Sequence, residues 1–128
     1  MNNLIIDAAR DKIFLTFIVR SNIYTCSHEN SKINFEKLMI LINQFLKDNK
    51  ASLDDISAIY INRGPGSFAG IRNSLSIIKA LFLTKKIDYY CFSFKDFEES
   101  ADLNYKDVHY LCKKFNIKKN LINPIYLS

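Results

Sequence analysis

All three glycines of this 128-residue chain, Gly64, Gly66 and Gly70, sit in one short stretch. It reads Gly64-Pro65-Gly66-Ser67-Phe68-Ala69-Gly70-Ile71-Arg72, after an apolar strand pattern and at the start of a helical one. Without a Cβ, glycine adopts backbone angles that other residues resist and lets another group come close. A chain that uses glycine nowhere else must turn sharply here or be closely approached. The fold is therefore built around a strand–loop–helix unit centred on these residues, and this loop is the first place to look for function.

Upstream, three short runs rich in β-branched and aromatic residues, Leu4 to Ile6, Ile13 to Val19 and Ile23 to Cys26, are separated by polar turns and predict an antiparallel meander. The period then changes. Phe35, Leu38, Leu41, Ile42, Phe45 and Leu46 recur at helical spacing between Ile33 and about Lys50. Ser52 with Asp55 three residues on predicts a capped turn. Ser57 to Asn62 is a fourth strand, Ser67 to about Thr84 a second helix, and Ile87 to Phe92 a fifth strand. Ser93 begins a short helix through Ala101, Asp102 or Asn104 begins another through Phe115, and the tail with Pro124 reads as extended. The order β-β-β-α-β-α-β followed by C-terminal helices predicts an α/β fold with a mixed five-stranded sheet.

The length suits a single domain, residues 1–128, with one hydrophobic core. The net charge of +5 comes with an excess of Lys, Asn, Ile, Phe and Tyr, a mix that AT-rich coding also produces, so basicity alone is weak evidence for a nucleic-acid partner. Cys26, Cys91 and Cys112 are odd in number and far apart, which supports neither a zinc site nor a disulfide framework. Reduced thiols in a cytoplasmic protein are expected. The N-terminal apolar run is too short for a signal peptide and no stretch approaches membrane-spanning length, so no membrane partner is expected.

The loop admits two chemical readings. Ser67 can cap the second helix by accepting a hydrogen bond from a first-turn amide. Alternatively, free amides and the helix dipole can hold an anion. No Gly-Lys-Ser/Thr follows, as a Walker loop requires, and the spacing is not the dinucleotide fingerprint.

The stretch Gly64 to Arg72 after a strand closely resembles the signature of the TsaB (YeaZ) family. Ile6-Asp7 at the end of the first strand, Lys79-Ala80-Leu81 in the second helix and the tail Asn123-Pro124-Ile125-Tyr126-Leu127 are also similar to that family. The resemblance implies the actin-like ATPase (ribonuclease H-like) fold, with residues 1–101 as its first lobe and residues 102–128 as the closing helix and tail of a second lobe that is mostly missing. It implies a non-catalytic subunit that stabilises a TsaD-type catalytic subunit for threonylcarbamoyl transfer to a tRNA adenosine next to the anticodon. A TsaE-type ATPase would belong to the same complex, and tRNA would be an indirect partner. Pairing would use the two first-lobe helices, through which a homodimer is also conceivable.

Those helices carry more apolar residues than one buried stripe needs. Leu38, Met39, Ile42, Leu46, Ile77 and Leu81 are candidates for the partner interface; burial under other elements is the alternative. Arg72 suits a charge-assisted bond to a carboxylate or carbonyl, within the chain or on a partner. Gly64, Pro65, Gly66, Ser67, Phe68, Gly70 and Arg72 form the motif loop, of which Gly66, Ser67 and Arg72 are expected to act first as scaffold. Ala69, Asn34, Asn73, Ser74 and Ser128 depart from the usual family residues.

No catalytic, metal or cofactor residue is expected. His28 and His109 are isolated, and the His-x-x-x-His pair of the catalytic relative is missing. By resemblance Asp7 stands where actin-like ATPases hold a metal-bound phosphate, yet Ala8 and Ala9 offer no hydroxyl and Asp11 adds like charge. Lys113, Lys114, Lys118 and Lys119 are candidate RNA contacts or a solvated helix end. An ATP-binding actin-like enzyme and a free-standing RNA-binding module are the competing functions, the latter lacking any aromatic-plus-basic RNA motif.

Overall fold

Alternate residues of the central strands face opposite ways, and both sets are apolar. On the first strand, β1 (Asn2–Asp7), Leu4 and Ile6 join one buried cluster and Ile5 the other. On β4 (Ala58–Asn62), Ile59 and Ile61 face the first cluster, Ala58 and Tyr60 the second. A sheet of this pattern must be covered on both faces. The computed structural model, which describes residues 2–97 and 104–126, shows how.

The sheet has five strands in the order β3-β2-β1-β4-β5. β2 (Lys12–Val19) pairs antiparallel with both β1 and β3 (Asn22–Glu29). β1, β4 and β5 (Asp88–Phe92) run parallel. The mixed sheet and the element order agree with the sequence reading.

Three helices cover the first face: α1 (Lys32–Glu36), α2 (Leu38–Asp48) and α3 (Phe68–Lys85). The single helix expected from Ile33 to Lys50 is thus two, broken at Lys37, whose backbone leaves the helical region with ψ 8°. The break lets Phe35 from one helix and Leu38, Ile42, Phe45 and Leu46 from the other all reach the core.

The second face is covered by the C-terminal segment. Asn104 caps a single helical turn, Tyr105–Asp107, which leads into α4 (Val108–Lys114). Val108, Leu111 and Cys112 pack on Ile5, Tyr60 and Phe92. This helix is shorter than expected, and the Asp102 start lies outside the described residues. The helix expected after Ser93 is a single turn, Phe94–Asp96, where Ser93 and Asp96 cap each other reciprocally; its continuation to Ala101 also lies outside the described residues. The Ser52–Asp55 capping box forms as read.

Candidate functional site

The glycine loop leaves the carboxyl end of β4. Asn62 Oδ1 accepts the Gly64 amide at 2.9 Å, and Gly64 takes φ +108°, a region that disfavours any side chain. A Cβ on Gly66 or Gly70 would strike the carbonyl oxygens of Ala9 and Ala8. The first turn of α3 therefore lies directly on the backbone of the β1–β2 turn. The Ser67 amide donates to the Ala9 carbonyl at 3.0 Å, and Ser67 Oγ caps α3 by accepting the Gly70 amide at 3.2 Å. The tail closes the other side. Ile125 donates to the Arg63 carbonyl, Tyr126 bridges to Gly66, and the Tyr126 ring lies 4.7 Å from that of Phe68. What approaches the glycines closely is the chain itself.

In open α/β sheets, ligands bind beyond the carboxyl ends of the parallel strands. Here that edge is occupied internally. Asp7 is fully buried at the end of β1. Its Oδ1 accepts the Ala9 amide at 3.1 Å, and its Oδ2 accepts the Tyr105 hydroxyl at 2.6 Å. Arg10 donates to the same hydroxyl at 3.1 Å, a bond that raises the guanidinium's already high pKa. Burial, reinforced by the Asp7 charge, pushes the Tyr105 phenol up, so it stays protonated as the donor. At the end of β4, Arg63 pairs with Asp96 at 2.6 Å and donates to the Asn123 carbonyl. These residues do not fit a metal-bound phosphate: both Asp7 oxygens are engaged, and the adjacent Ala9 amide is turned to Asp7.

The outer side of the helices has another character. A groove of about 620 Å³ lies between α1 and the start of α3, lined by Asn30, Lys32, Glu36, Ala69, Arg72 and Asn73 among others. Arg72 is exposed, and its side chain makes no hydrogen bond or ion pair with the described residues. Ile33, Ile40 and Leu83 are more than 60% exposed on these helices.

The family model described as TsaD, tRNA N6-adenosine threonylcarbamoyltransferase, matches residues 28–93, just over half of the chain. The chain belongs to this family. Its curated relatives are tRNA threonylcarbamoyladenosine biosynthesis proteins TsaB. One, from Buchnera aphidicola subsp. Schizaphis graminum, is 32% identical over 84 residues, covering 66% of this chain and 40% of the relative. Another, from Buchnera aphidicola subsp. Baizongia pistaciae, is 32% identical over 83 residues, covering 56% and 38%. The chain thus spans about two fifths of the curated relatives it matches. The solved structure of YeaZ from Pseudomonas aeruginosa superposes with a TM-score of 0.66 over 72% of this chain and 43% of that one, at 17% identity. The fold is accordingly the actin-like, ribonuclease H-like fold of the TsaD family.

Against that fold, several interface candidates need correction. Leu38, Ile42, Leu46 and Leu81 are core residues, at most 4% exposed, because they point from α2 and α3 onto the sheet. Met39 and Ile77 are half-buried against the same core. The large exposed apolar residues of α1, α2 and α3 not singled out from the sequence are Ile33, Ile40 and Leu83. On α3 the signal is the helical stripe Ile71, Leu75 and Ile78, all buried, which leaves Leu83 off it and 61% exposed.

Of the basic candidates, Lys113 and Lys114 are in the last turn of α4, and Lys118 and Lys119 follow it. Lys114 lies over the rings of Tyr110 and Phe115, and Lys119 lies 3.7 Å from Asp88. His109 Nδ1 lies 2.5 Å from the Tyr60 hydroxyl, and His28 lies beside Cys26. No group of His, Cys, Asp or Glu that could hold a metal occurs among the described residues. No helix of the described residues is long and apolar enough to cross a membrane.

Proposed function

We propose that this chain acts in threonylcarbamoyladenosine biosynthesis on tRNA, as a non-catalytic subunit that docks onto a TsaD-type catalytic partner through the outer side of α1, α2 and α3. The observation that carries the reading is Arg72. It is a cation without a partner among the described residues, at the rim of an open groove, on helices that also expose Ile33, Ile40 and Leu83. Exposed apolar side chains around a charged anchor suit a protein interface, where arginine and large apolar groups concentrate the energy. The interior closure of the Asp7 edge by Tyr105 argues against nucleotide turnover in the chain itself. Residues 104–126 act in this reading as a built-in cover over the sheet, and a TsaE-type ATPase would join through the TsaD-type partner.

Co-expression with the TsaD-type protein of the same organism tests this. The two should co-purify and the pair should restore the tRNA modification in cells lacking TsaB. R72E should weaken the complex about 30-fold or more, as expected when one member of a buried charge pair is lost. I40D should weaken it further, with the melting temperature of the free chain unchanged. A homodimer using the same surface should dissociate when the partner is added. A complex that tolerates both R72E and I40D would overturn this docking surface.

A further inference from the structure

On the opposite face of the sheet, between β4, β5 and α4, lies a cavity of about 360 Å³. That volume is within the range of small-molecule clefts, roughly 300–1,000 Å³. Its lining includes Tyr60, Tyr90, His109, Cys112, Lys113 and Asn116. The Tyr60 and Tyr90 rings are stacked, 5.0 Å apart and 9° from parallel, and His109 meets Tyr60 edge-on. Burial pushes the Tyr60 phenol up, so it stays protonated beside His109 Nδ1. A second cavity, of about 190 Å³, adjoins it across Asn116 and Ile117 and is lined by Lys118.

The charge is concentrated here. Residues 104–126 contain five lysines and one aspartate, most of the chain's net charge of +5. The side chains of Lys113 and Lys118 make no hydrogen bond or ion pair with the described residues, and Tyr110, earlier in α4, is 61% exposed. An aromatic-lined pocket with a basic rim is how proteins hold single-stranded nucleic acid: bases stack on rings while cations follow the phosphates.

We propose that this cavity receives a base of single-stranded RNA, with Tyr90 and His109 contacting the base and Lys113 and Lys118 contacting flanking phosphates. The lysines are spread over both cavities and beyond, which suits a strand better than a lone nucleotide. The site is on the sheet face opposite the proposed docking helices and does not rest on that reading.

Fluorescence anisotropy with the full chain and a short fluorescein-labelled oligoadenylate tests it. Binding should weaken with salt, and a duplex of the same length should bind at least tenfold less tightly. Y90L, which keeps bulk but removes the stacking face, should weaken the strand about fivefold or more. K113E, at an exposed position in the last turn of α4, should lower the steepness of the salt dependence by about 0.7 or more in the log–log slope, with the fold checked by circular dichroism. K79E, on α3 across the sheet, should change neither. Equal affinity for strand and duplex would overturn the proposal, as would wild-type binding by K113E. Competition by AMP as effective, per mole, as the strand itself would instead assign the cavity to a free nucleotide and also overturn it.

Discussion

Replacing Tyr105 with Phe isolates one hydroxyl at the closed edge of the sheet. The ring contacts to Phe14 and Phe94, at 5.9 and 6.0 Å, survive the change, so the apolar packing is held constant. What is lost is the 2.6 Å donor to Asp7 Oδ2 and the acceptor of Arg10. Asp7 is fully buried and keeps one other donor, the Ala9 amide. A hydrogen bond to a charged group contributes about 1.5–3 kcal/mol, and a carboxylate oxygen left bare in the interior belongs at the upper end, so the expected loss is about 2–3 kcal/mol. With a urea m-value of about 1.5 kcal/mol/M for a domain of this size, the unfolding midpoint should fall by about 1.3–2 M. Asp7→Asn in the same background should recover part of the loss, and the double-mutant cycle should give a coupling of about 1 kcal/mol or more. A midpoint shift under about 0.3 M for Tyr105→Phe would refute the reasoning, since the closed edge would then contribute nothing to folding.

Three further outcomes are expected. Gly70→Ala drives a Cβ into the Ala8 carbonyl, backbone that no rotamer change can move, so it should cost about 3 kcal/mol and lower the melting temperature by roughly 12 °C in a thermal scan. Burial raises the Cys91 and Cys112 thiols from 9.0 to about 12. Between those pH values the unfolded chain gives up protons that the folded chain keeps, so the urea midpoint should fall as pH rises from 9 towards 12, and less steeply in Cys91→Ala. Asp96→Ala removes both the Arg63 ion pair, whose side chains are only 15% and 20% exposed, and the cap on the Ser93 amide; calorimetry should show a loss of about 2 kcal/mol, between the values for exposed and buried pairs.

Much of the fold was legible because its signals are local. Strand patterning marked all five strands, four of them within two residues of their ends and the third three residues short of Glu29, and Ser67 marked the start of α3. The glycines could be read as a place of close approach, although not what approaches: the carbonyls of Ala8 and Ala9 are nearly sixty residues upstream. Surface assignment on the helices failed for a physical reason. An unbroken run such as Leu38-Met39-Ile40-Leu41-Ile42 shows a helix with apolar residues all round, but only the break at Lys37 decides which of them faces the sheet. Contacts between distant segments were invisible. Asp7 and Tyr105 are separated by 98 positions, and the aromatic cavity joins side chains from β4, β5 and α4. That is why the sequence reads as lacking any aromatic-plus-basic motif, although the fold brings Tyr60, Tyr90, His109 and Lys113 to one cavity.

The sheet imposes a division on the two proposed roles. Arg72 projects from a helix on one face, and Lys113 from a helix on the other, with the β4 and β5 strands between them. Side chains so placed share no partner, and substitutions at independent sites add. R72E should therefore lower affinity for the TsaD-type protein without changing the salt dependence of strand binding, and K113E should do the reverse. The double variant should show both losses at their single-variant sizes. If R72E altered strand binding, the two surfaces would have to communicate through the packed sheet, and the rigid separation of its faces argued from the two core clusters would be wrong. If K113E weakened only the protein complex, the basic end would be part of the docking surface and the sheet would have a single functional side.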